Sequence, residues 1–475
     1  MSDCRFFEGE LSKNKTCLAL LFITLFGAIL RVYKIDFQSL WLDELYTIIP
    51  TDPNQSISSL IDYCKGDQPP LFFLYCQQMF KLFGYNEVVG RLSSALLGVL
   101  AIPSIFLLAR EFSGRLTSLF AALLLSINYF HIYYSQELRF YTLLFLLTTI
   151  SYLFFVRAFK NPRLTNFIGY SIVTSGLLYT HYFGLLIFVI QAITFATLLF
   201  FTRMSRRFVV SGIASSIMVT ISFVPWIPIF IKDLGIRSFW IKSPDPYFII
   251  TYFYYYFGKD ILSTIILVLL FSFFIFNVLK SNPPVPKTNP LIFILIVWFL
   301  LSYLVPYLKS ITSTPILHHR YTMISLPVWF IFFALGWDSI KKSNYKMVGI
   351  AILFLSSICN LLFFKKHYSK VQKEQFREVS QLALEKNIEG YPLYSTMNRL
   401  FNFYFRESNY SIEPLDYIEI KNEKTFWLLQ ATPVEGENDK ETQELMRNFD
   451  VLEKYEFYKG NLILFSSKSN DNSMP

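Results

Sequence analysis

Two adjacent carboxylates, Asp43 and Glu44, follow directly on the first long apolar run, in the stretch Ser39-Leu40-Trp41-Leu42-Asp43-Glu44. A carboxylate at the mouth of a membrane bundle is costly if drawn toward hydrocarbon, so it needs water, a partner or a chemical role. The role open to it is general-base chemistry, because a hydroxyl is a poor nucleophile until a positioned carboxylate takes its proton as the new bond forms. Other polar groups carry complementary chemistry. Asp67-Gln68-Pro69-Pro70, Arg91, His131, Ser135-Gln136-Glu137-Leu138-Arg139, Thr180-His181-Tyr182 and His318-His319-Arg320-Tyr321 add acids, hydrogen-bonding groups and guanidinium forks suited to gripping two phosphate oxygens.

Each of these has an ordinary reading when taken alone. An isolated acidic pair beyond an apolar run is usually a solvated loop, and Pro69-Pro70 suits the first turn of a helix. Arg91 could snorkel, Arg139 could pair with Glu137 for structure, and a lone His181 or His319 is commonly an interfacial polar residue. Their joint placement therefore has to decide.

The elements that must position them are membrane helices. The chain has 475 residues, 53% of them hydrophobic and 19% aromatic against 16% charged, with a mean hydropathy of +0.40; it is read as a polytopic α-helical membrane protein. Its 51 Phe and 30 Tyr suit lipid-facing and interfacial positions. A formal charge of +9 is dispersed in short clusters between apolar runs, which argues against nucleic acid as a partner. With roughly 20 apolar residues needed per crossing of an approximately 30 Å core, spans are predicted at 17–35, 87–110, 115–134, 138–159, 164–181, 182–202, 207–230, 259–280, 289–308, 319–339 and 345–364. The shorter segment 69–83, with Gln77, Gln78 and Lys81, is expected to be interfacial or re-entrant.

Placing the N-terminus in the cytoplasm puts Arg110 and Arg115, Lys160 and Arg163, Arg203, Arg206 and Arg207, Lys280 and Lys287, and Lys341, Lys342 and Lys346 in inner loops. The candidate residues then all fall at the opposite, extracytoplasmic face, as the lining of one cavity. The first apolar run follows Lys13 and Lys15 but has no small-x-small cleavage pattern after it, so it is read as a retained span.

Residues 1–364 form the expected membrane domain. From 365 to 475 long apolar runs stop, and a small extracytoplasmic α/β domain of about 110 residues is expected, large enough for its own core. Its signals are a helical pattern over 372–387, strand-like runs at 391–396, 425–430 and 461–466, and a polar tail at 467–475. Trp427 and Phe401-Asn402-Phe403-Tyr404 are read as its core in preference to a sugar-stacking surface. The five cysteines, Cys4, Cys17, Cys64, Cys76 and Cys359, lack metal-ligand spacing, and no metal or cofactor is predicted. Cys64 and Cys76 fall on the same side, with pairing left open.

Ser39-Leu40-Trp41-Leu42-Asp43-Glu44-Leu45-Tyr46-Thr47 resembles the first-loop motif of GT-C membrane glycosyltransferases of the protein O-mannosyltransferase and lipid A aminoarabinose transferase-like superfamily. Pro69-Pro70-Leu71, the stretch Gly90-Arg91-Leu92-Ser93-Ser94-Ala95 with Gly98, the run from Phe130-His131 to Arg139, Thr180-His181-Tyr182-Phe183-Gly184 and Arg320-Tyr321 follow in that superfamily's order. The likeness covers about residues 17–340. It implies transfer of a sugar from a polyprenyl phosphate to an extracytoplasmic acceptor, whether protein, lipid or glycan, at a cell membrane.

The resemblance assigns Asp43 as the catalytic base, with Glu44 supporting it and Glu137 at a second acidic position. Donor phosphate would meet Arg91 and Arg320, then Arg139, His318 and His319. Gln68, His131, Gln136, His181 and Tyr182 would contact substrate. Where relatives often carry His or Lys before Pro-Pro-Leu this chain has neutral Gln68, so Lys65 or Lys81 is the substitute source of charge. A direct, inverting displacement suits one base, since a retaining mechanism wants two carboxylates about 5 Å apart across the bond. The competing reading is a glycolipid transporter or flippase, in which the same cavity moves headgroups without covalent change; the repeated halves frequent in transporters are not visible here.

Overall fold

The computed structural model describes residues 12–235, 240–280, 288–416, 420, 422–431 and 437–468. Cys4, Lys287 and residues 469–475 of the expected tail lie outside the described residues. Nine helices among the described residues are long and apolar enough to cross a bilayer: Lys13–Val32, Glu87–Ala109, Tyr141–Lys160, Tyr182–Phe201, Arg206–Leu234, Ile261–Lys280, Pro290–Thr312, Tyr321–Asp338 and Ser343–Phe364.

Two of the predicted spans take another form. The one at 115–134 breaks into Arg115–Ser126 and Tyr129–Ser135, bent by 58°. Two side chains cause the break. The Asn128 carboxamide accepts from the His131 N–H at 2.9 Å and so starts a new helix, while its amide donates to the Tyr256 carbonyl at 2.9 Å. Arg31, wholly buried, donates to the Leu125 and Ser126 carbonyls at 3.0 Å each, placing a cation at the negative end of the first piece. The other altered span, Leu164–Leu178, is only 15 residues long; the chain turns at Thr180, and His181 caps the next helix by accepting from the Phe183 N–H at 3.1 Å.

The segment expected to be interfacial or re-entrant forms the helix Leu71–Phe83, which starts directly after Pro69-Pro70 and buries Phe72, Phe73, Cys76, Gln77 and Phe80. The Gln77 amide donates to the Asp52 and Gln55 carbonyls at 3.1 and 3.0 Å, which binds the first extramembrane loop down over this helix. Cys64 and Cys76 are separate free thiols, both buried.

Glycine permits one close approach that shapes the site. A Cβ on Gly98 would lie 2.3 Å from Ser135 Oγ and 3.0 Å from Ser135 Cβ, so the helix Glu87–Ala109 presses against Tyr129–Ser135 only because no side chain intervenes. The segment 136–139 hangs from that contact.

After the last span a five-stranded mixed sheet follows, in the order β2-β1-β3-β5-β4, where β1 is Leu393–Ser395, β2 Glu413–Pro414, β3 Thr425–Ala431, β4 Phe449–Phe457 and β5 Gly460–Ser467. Alternation along the strands divides the residues between two faces. Phe426 and Leu428 with Ile463 and Phe465 pack on Leu445 and Phe449. Trp427 and Leu429 with Leu462 and Leu464 join Phe376, Val379 and Phe401, a core continuous with the membrane domain. Trp427, Phe401 and Phe403 are thus interior residues, as their composition led us to expect.

Polar stitches dock this unit on the first loop. Gln38 donates to the Lys370 carbonyl at 2.8 Å and accepts from the Gln372 N–H at 3.0 Å. Arg377 reaches Glu87 at 2.6 Å and the Asp36 carbonyl at 3.1 Å. The Tyr404 hydroxyl accepts from the Leu40 N–H at 3.2 Å and donates to Glu87 at 2.5 Å.

Replacing Gly98 by Ala is expected to force Ser135 aside and to cost about 1–3 kcal/mol by overpacking. Thermal unfolding in detergent measures this, and an unchanged midpoint would mean that the contact yields freely.

Candidate active site

The first-loop acids do not lie on extended chain. Leu42–Ile48 is a short helix entered from an extended Trp41, and on a helix neighbouring side chains diverge by about 100°. That divergence sends the two carboxylates into different surroundings.

Glu44 points inward and is fully buried, opposite an Arg91 that is 1% exposed. Arg91 Nε and Nη2 donate to its two oxygens at 2.8 and 2.7 Å, a two-pronged pair. The Leu138 N–H donates to Oε1 at 2.9 Å and the Lys373 ammonium to Oε2 at 3.2 Å. Burial alone would push the Glu44 carboxyl up, but Arg91 and Lys373 together hold it below the ordinary carboxylate range. The remaining N–H groups of Arg91 bond the carbonyls of Ile35 at 3.1 Å, Gln38 at 2.6 Å and Ser39 at 2.9 Å. With its five donors occupied, Arg91 has none left for a phosphate; the geometry gives it the placing of the first loop instead of the donor contact expected from sequence.

Asp43 points the other way and keeps 26% of its side chain exposed. Its Oδ2 accepts from Arg320 Nη1 at 2.8 Å. The Arg320 guanidinium lies over the rings of Trp240, Trp41 and Tyr141 at 4.9, 5.7 and 5.9 Å, and its Nε and Nη2 make no protein hydrogen bond among the described residues. Arg139 stands beside them. Its Nη1 donates to the Asp43 carbonyl at 3.0 Å and to Thr47 Oγ1 at 2.9 Å, while its buried Nε has no partner.

Glu137 is 1% exposed and lies 3.2 Å from the Lys373 ammonium. On balance its carboxyl is raised above the ordinary range, chiefly by burial, with Lys373 drawing it down and Glu44 pushing it up, and neither of its oxygens has a hydrogen-bond partner among the described residues. Asp67 is likewise pushed up by burial, with Arg139 pulling it down and Asp43 and Asp233 raising it. Its Oδ2 and the Gln68 Oε1 are buried without partners. Four acids (Asp43, Glu44, Asp67, Glu137) and four cations (Arg91, Arg139, Arg320, Lys373) thus share one end of the bundle.

Other expected residues have structural tasks in this geometry. His131 is fully buried and faces Arg31 Nη2 through Nδ1 at 3.0 Å, so it sits in the core between helices. Gln136 donates to the Arg31 and Tyr33 carbonyls at 3.1 and 2.9 Å and faces His367 at 3.0 Å. His181 caps a helix and stacks on Phe140 with centroids 4.7 Å apart; the Tyr182 hydroxyl bonds the Asp233 carboxylate. Burial, and then the charge of Arg320, holds His319 down to about 3, and burial with His319 and Arg320 holds His318 down to about 2. Both rings are thus biased toward the neutral form in the site as it stands. Lys65 is occupied with Asp62 at 2.6 Å.

Lys373 is the residue that sequence reasoning missed. It lies in the polar run Lys370-Val371-Gln372-Lys373-Glu374-Gln375, where nothing marks one lysine from the next.

Replacing Glu44 by Gln is expected to cost about 3–5 kcal/mol, because Arg91 and Lys373 are left as buried charges with less compensation. Since the folded-state affinity of Glu44 for protons is lowered, its stabilisation is present above the ordinary glutamate range and is lost as pH falls toward about 2. Unfolding midpoints across acid pH should accordingly fall for the parent protein and change less for Glu44→Gln.

No curated protein sequence matches this chain. Residues 67–231 match the family model described as dolichyl-phosphate-mannose-protein mannosyltransferase. In fold the chain is similar to ArnT from Cupriavidus metallidurans bound to undecaprenyl phosphate, with a TM-score of 0.64 at 11% identity over 95% of this chain and 98% of that one. It is similar also to the apo oligosaccharyltransferase of Archaeoglobus fulgidus, with a TM-score of 0.57 at 12% identity over 85% of this chain and 64% of that one. The arabinofuranosyltransferase AftD from Mycobacteria gives a TM-score of 0.57 at 11% identity, over 97% of this chain and 40% of that one. The likeness drawn from the motifs is borne out at the level of the fold: this chain has the fold of the GT-C membrane glycosyltransferases, and residues 67–231 match the mannosyltransferase family model.

Proposed function

We propose that this protein transfers a sugar from a polyprenyl-phosphate donor to an acceptor outside the cytoplasm, in an integral membrane of the cell envelope. One observation carries the reading: Asp43 is the acid of the pair that remains accessible, held 2.8 Å from an arginine whose other N–H groups are unoccupied among the described residues. The solved ArnT structure of the same fold has undecaprenyl phosphate bound, and a structure of the Archaeoglobus oligosaccharyltransferase holds an inhibitory peptide and a dolichol-phosphate. Both support a lipid-phosphate donor here.

The mechanism follows from the division of labour between the two acids. Asp43 takes the proton of the acceptor as its oxygen or nitrogen attacks the anomeric carbon, and the bond to the lipid phosphate breaks in the same displacement, inverting that carbon. The leaving phosphate gains negative charge. Arg320 meets that charge with Nε and Nη2, and Arg139 with its unpartnered Nε, as donors fixed before the reaction begins. Arg91 is withdrawn from this role, and Glu44 holds the loop that carries Asp43. Glu137, which shares this pocket with Asp43 and Arg320, is assigned to favour positive charge on the sugar ring. No metal enters this scheme.

Incubating the purified protein with a panel of polyprenyl-phosphate sugars and candidate acceptors tests the reading. Asp43→Asn is expected to lower transfer by about 100-fold to 10,000-fold, the range of positioned acid-base catalysis, while leaving donor binding largely intact; full turnover by this variant would remove Asp43 from the mechanism. For Arg320→Ala donor affinity should fall by roughly 10-fold to 100-fold, as for loss of a hydrogen bond to a charged group. Normal binding would shift the phosphate to Arg139 alone. Movement of a labelled glycolipid across the bilayer with its covalent structure unchanged would support the flippase reading instead.

A further inference from the structure

Lys373 belongs to the polar segment that follows the last membrane helix, yet it is 6% exposed and its ammonium lies 3.2 Å from both Glu44 Oε2 and Glu137 Oε1. Its charge also faces the rings of Trp41 and Tyr133, at 5.9 and 5.6 Å. The two acids differ in what else they have. Glu44 keeps the two-pronged bond from Arg91, whereas Lys373 is the one cation within salt-bridge distance of Glu137 among the described residues. Arg91 cannot substitute, because its donors are all occupied.

We propose that Lys373 is a positioning residue: placed between Glu44 and Glu137 it favours the ionised form of Glu137 against the burial of that acid, so that the docked C-terminal segment completes the site. The proposal rests on the reading of this pocket as the place of sugar transfer.

The charges around Glu137 support it. Beyond Lys373 the charged groups acting on it are Glu44 and Asp43 from the first-loop helix and Arg320 from the loop before Tyr321. Phenols complete its surroundings, with Tyr129, Tyr133 and Tyr134 on the short helix and Tyr141 at the start of the next span. His367 is held down to about 3 by burial and by Lys373, so it stays neutral and adds no cation. Without Lys373, Glu137 would be an acid wholly buried, facing two other acids across the site with a single more distant guanidinium, and a carboxyl so placed takes up a proton.

The balance of charge then fixes the chemistry. As a carboxylate Glu137 can favour the positive charge that gathers on the sugar ring during displacement; as a neutral acid it cannot. Lys373 touches neither donor nor acceptor in this scheme and acts through Glu137.

Infrared spectra of the whole protein in nanodiscs, recorded at neutral pH without any donor or acceptor, test the proposal. Lys373→Met should gain a protonated-carboxyl band that the parent protein lacks. The band should be absent from Lys373→Arg, which restores the cation, and from the double variant Lys373→Met with Glu137→Gln. A Lys373→Met spectrum without the new band, or a band that survives Glu137→Gln, overturns the assignment. If Lys373→Met gives no folded protein, Lys373→Gln is read in its place with the same two outcomes. Because the spectra need no turnover, their result is separable from the success or failure of the transfer assay.

Discussion

Glu44 and Arg91, at 0% and 1% exposure, fix where the chain goes after it leaves the first membrane helix. A pair so deeply buried adds little net stability compared with well-packed apolar side chains of the same size, since both ions have been taken from water. What it adds is placement. Through its remaining donors Arg91 gathers the carbonyls of Ile35, Gln38 and Ser39, which lie in the loop between helices. Through its second oxygen face Glu44 also receives the Leu138 N–H, so that the loop bearing Glu137 and Arg139 is tied to the loop bearing Asp43. Two segments some 90 residues apart in sequence are thereby held at a common depth.

With the inward acid fully engaged, the outward one is left, among the described residues, with a single protein cation on one oxygen. This asymmetry arises from the helical turn at Leu42–Ile48, which rotates adjacent side chains apart. The aromatic rings of Trp41, Tyr141 and Trp240 around Arg320 do the complementary work of holding a charged group at the bundle end without neutralising it. An arginine cushioned by rings keeps donors for a ligand; one surrounded by carbonyls, as Arg91 is, does not.

The apolar runs were legible because a bilayer imposes length and composition on every crossing, and the sheet strands β3 and β5 because their alternating residues serve two buried faces. The break at Asn128 was not, since one capping carboxamide leaves the hydropathy of its surroundings unchanged. Strand β4 reads as polar because it is an edge, with most of Asp450–Glu456 exposed. Within the site, the juxtaposition of Asp43 and Arg320 followed the motif order, whereas the full engagement of Arg91 by protein acceptors did not: sequence reveals a guanidinium but not which acceptors surround it. Lys373 was beyond reach for a related reason. Its partner Glu44 is 329 positions away, and a lysine among other polar residues gives no sign of being the one that folds inward.

The stitches between the first loop and the segment around Lys370 to Tyr404 have a consequence for synthesis. They join residues more than 330 positions apart at Gln38 and Lys370, and at Asp36 and Arg377, so the loop after the first helix waits for one of the latest segments to be made. Until then the stretch Asp36–Trp41 has Arg91 on the Gln38 and Ser39 carbonyls but lacks the partners that Lys370, Gln372 and Arg377 supply, and chaperones or solvent must serve in their stead. Nascent chains stalled ahead of residue 370 would present an unassembled first loop, and a membrane protease could tell them from finished molecules by that alone.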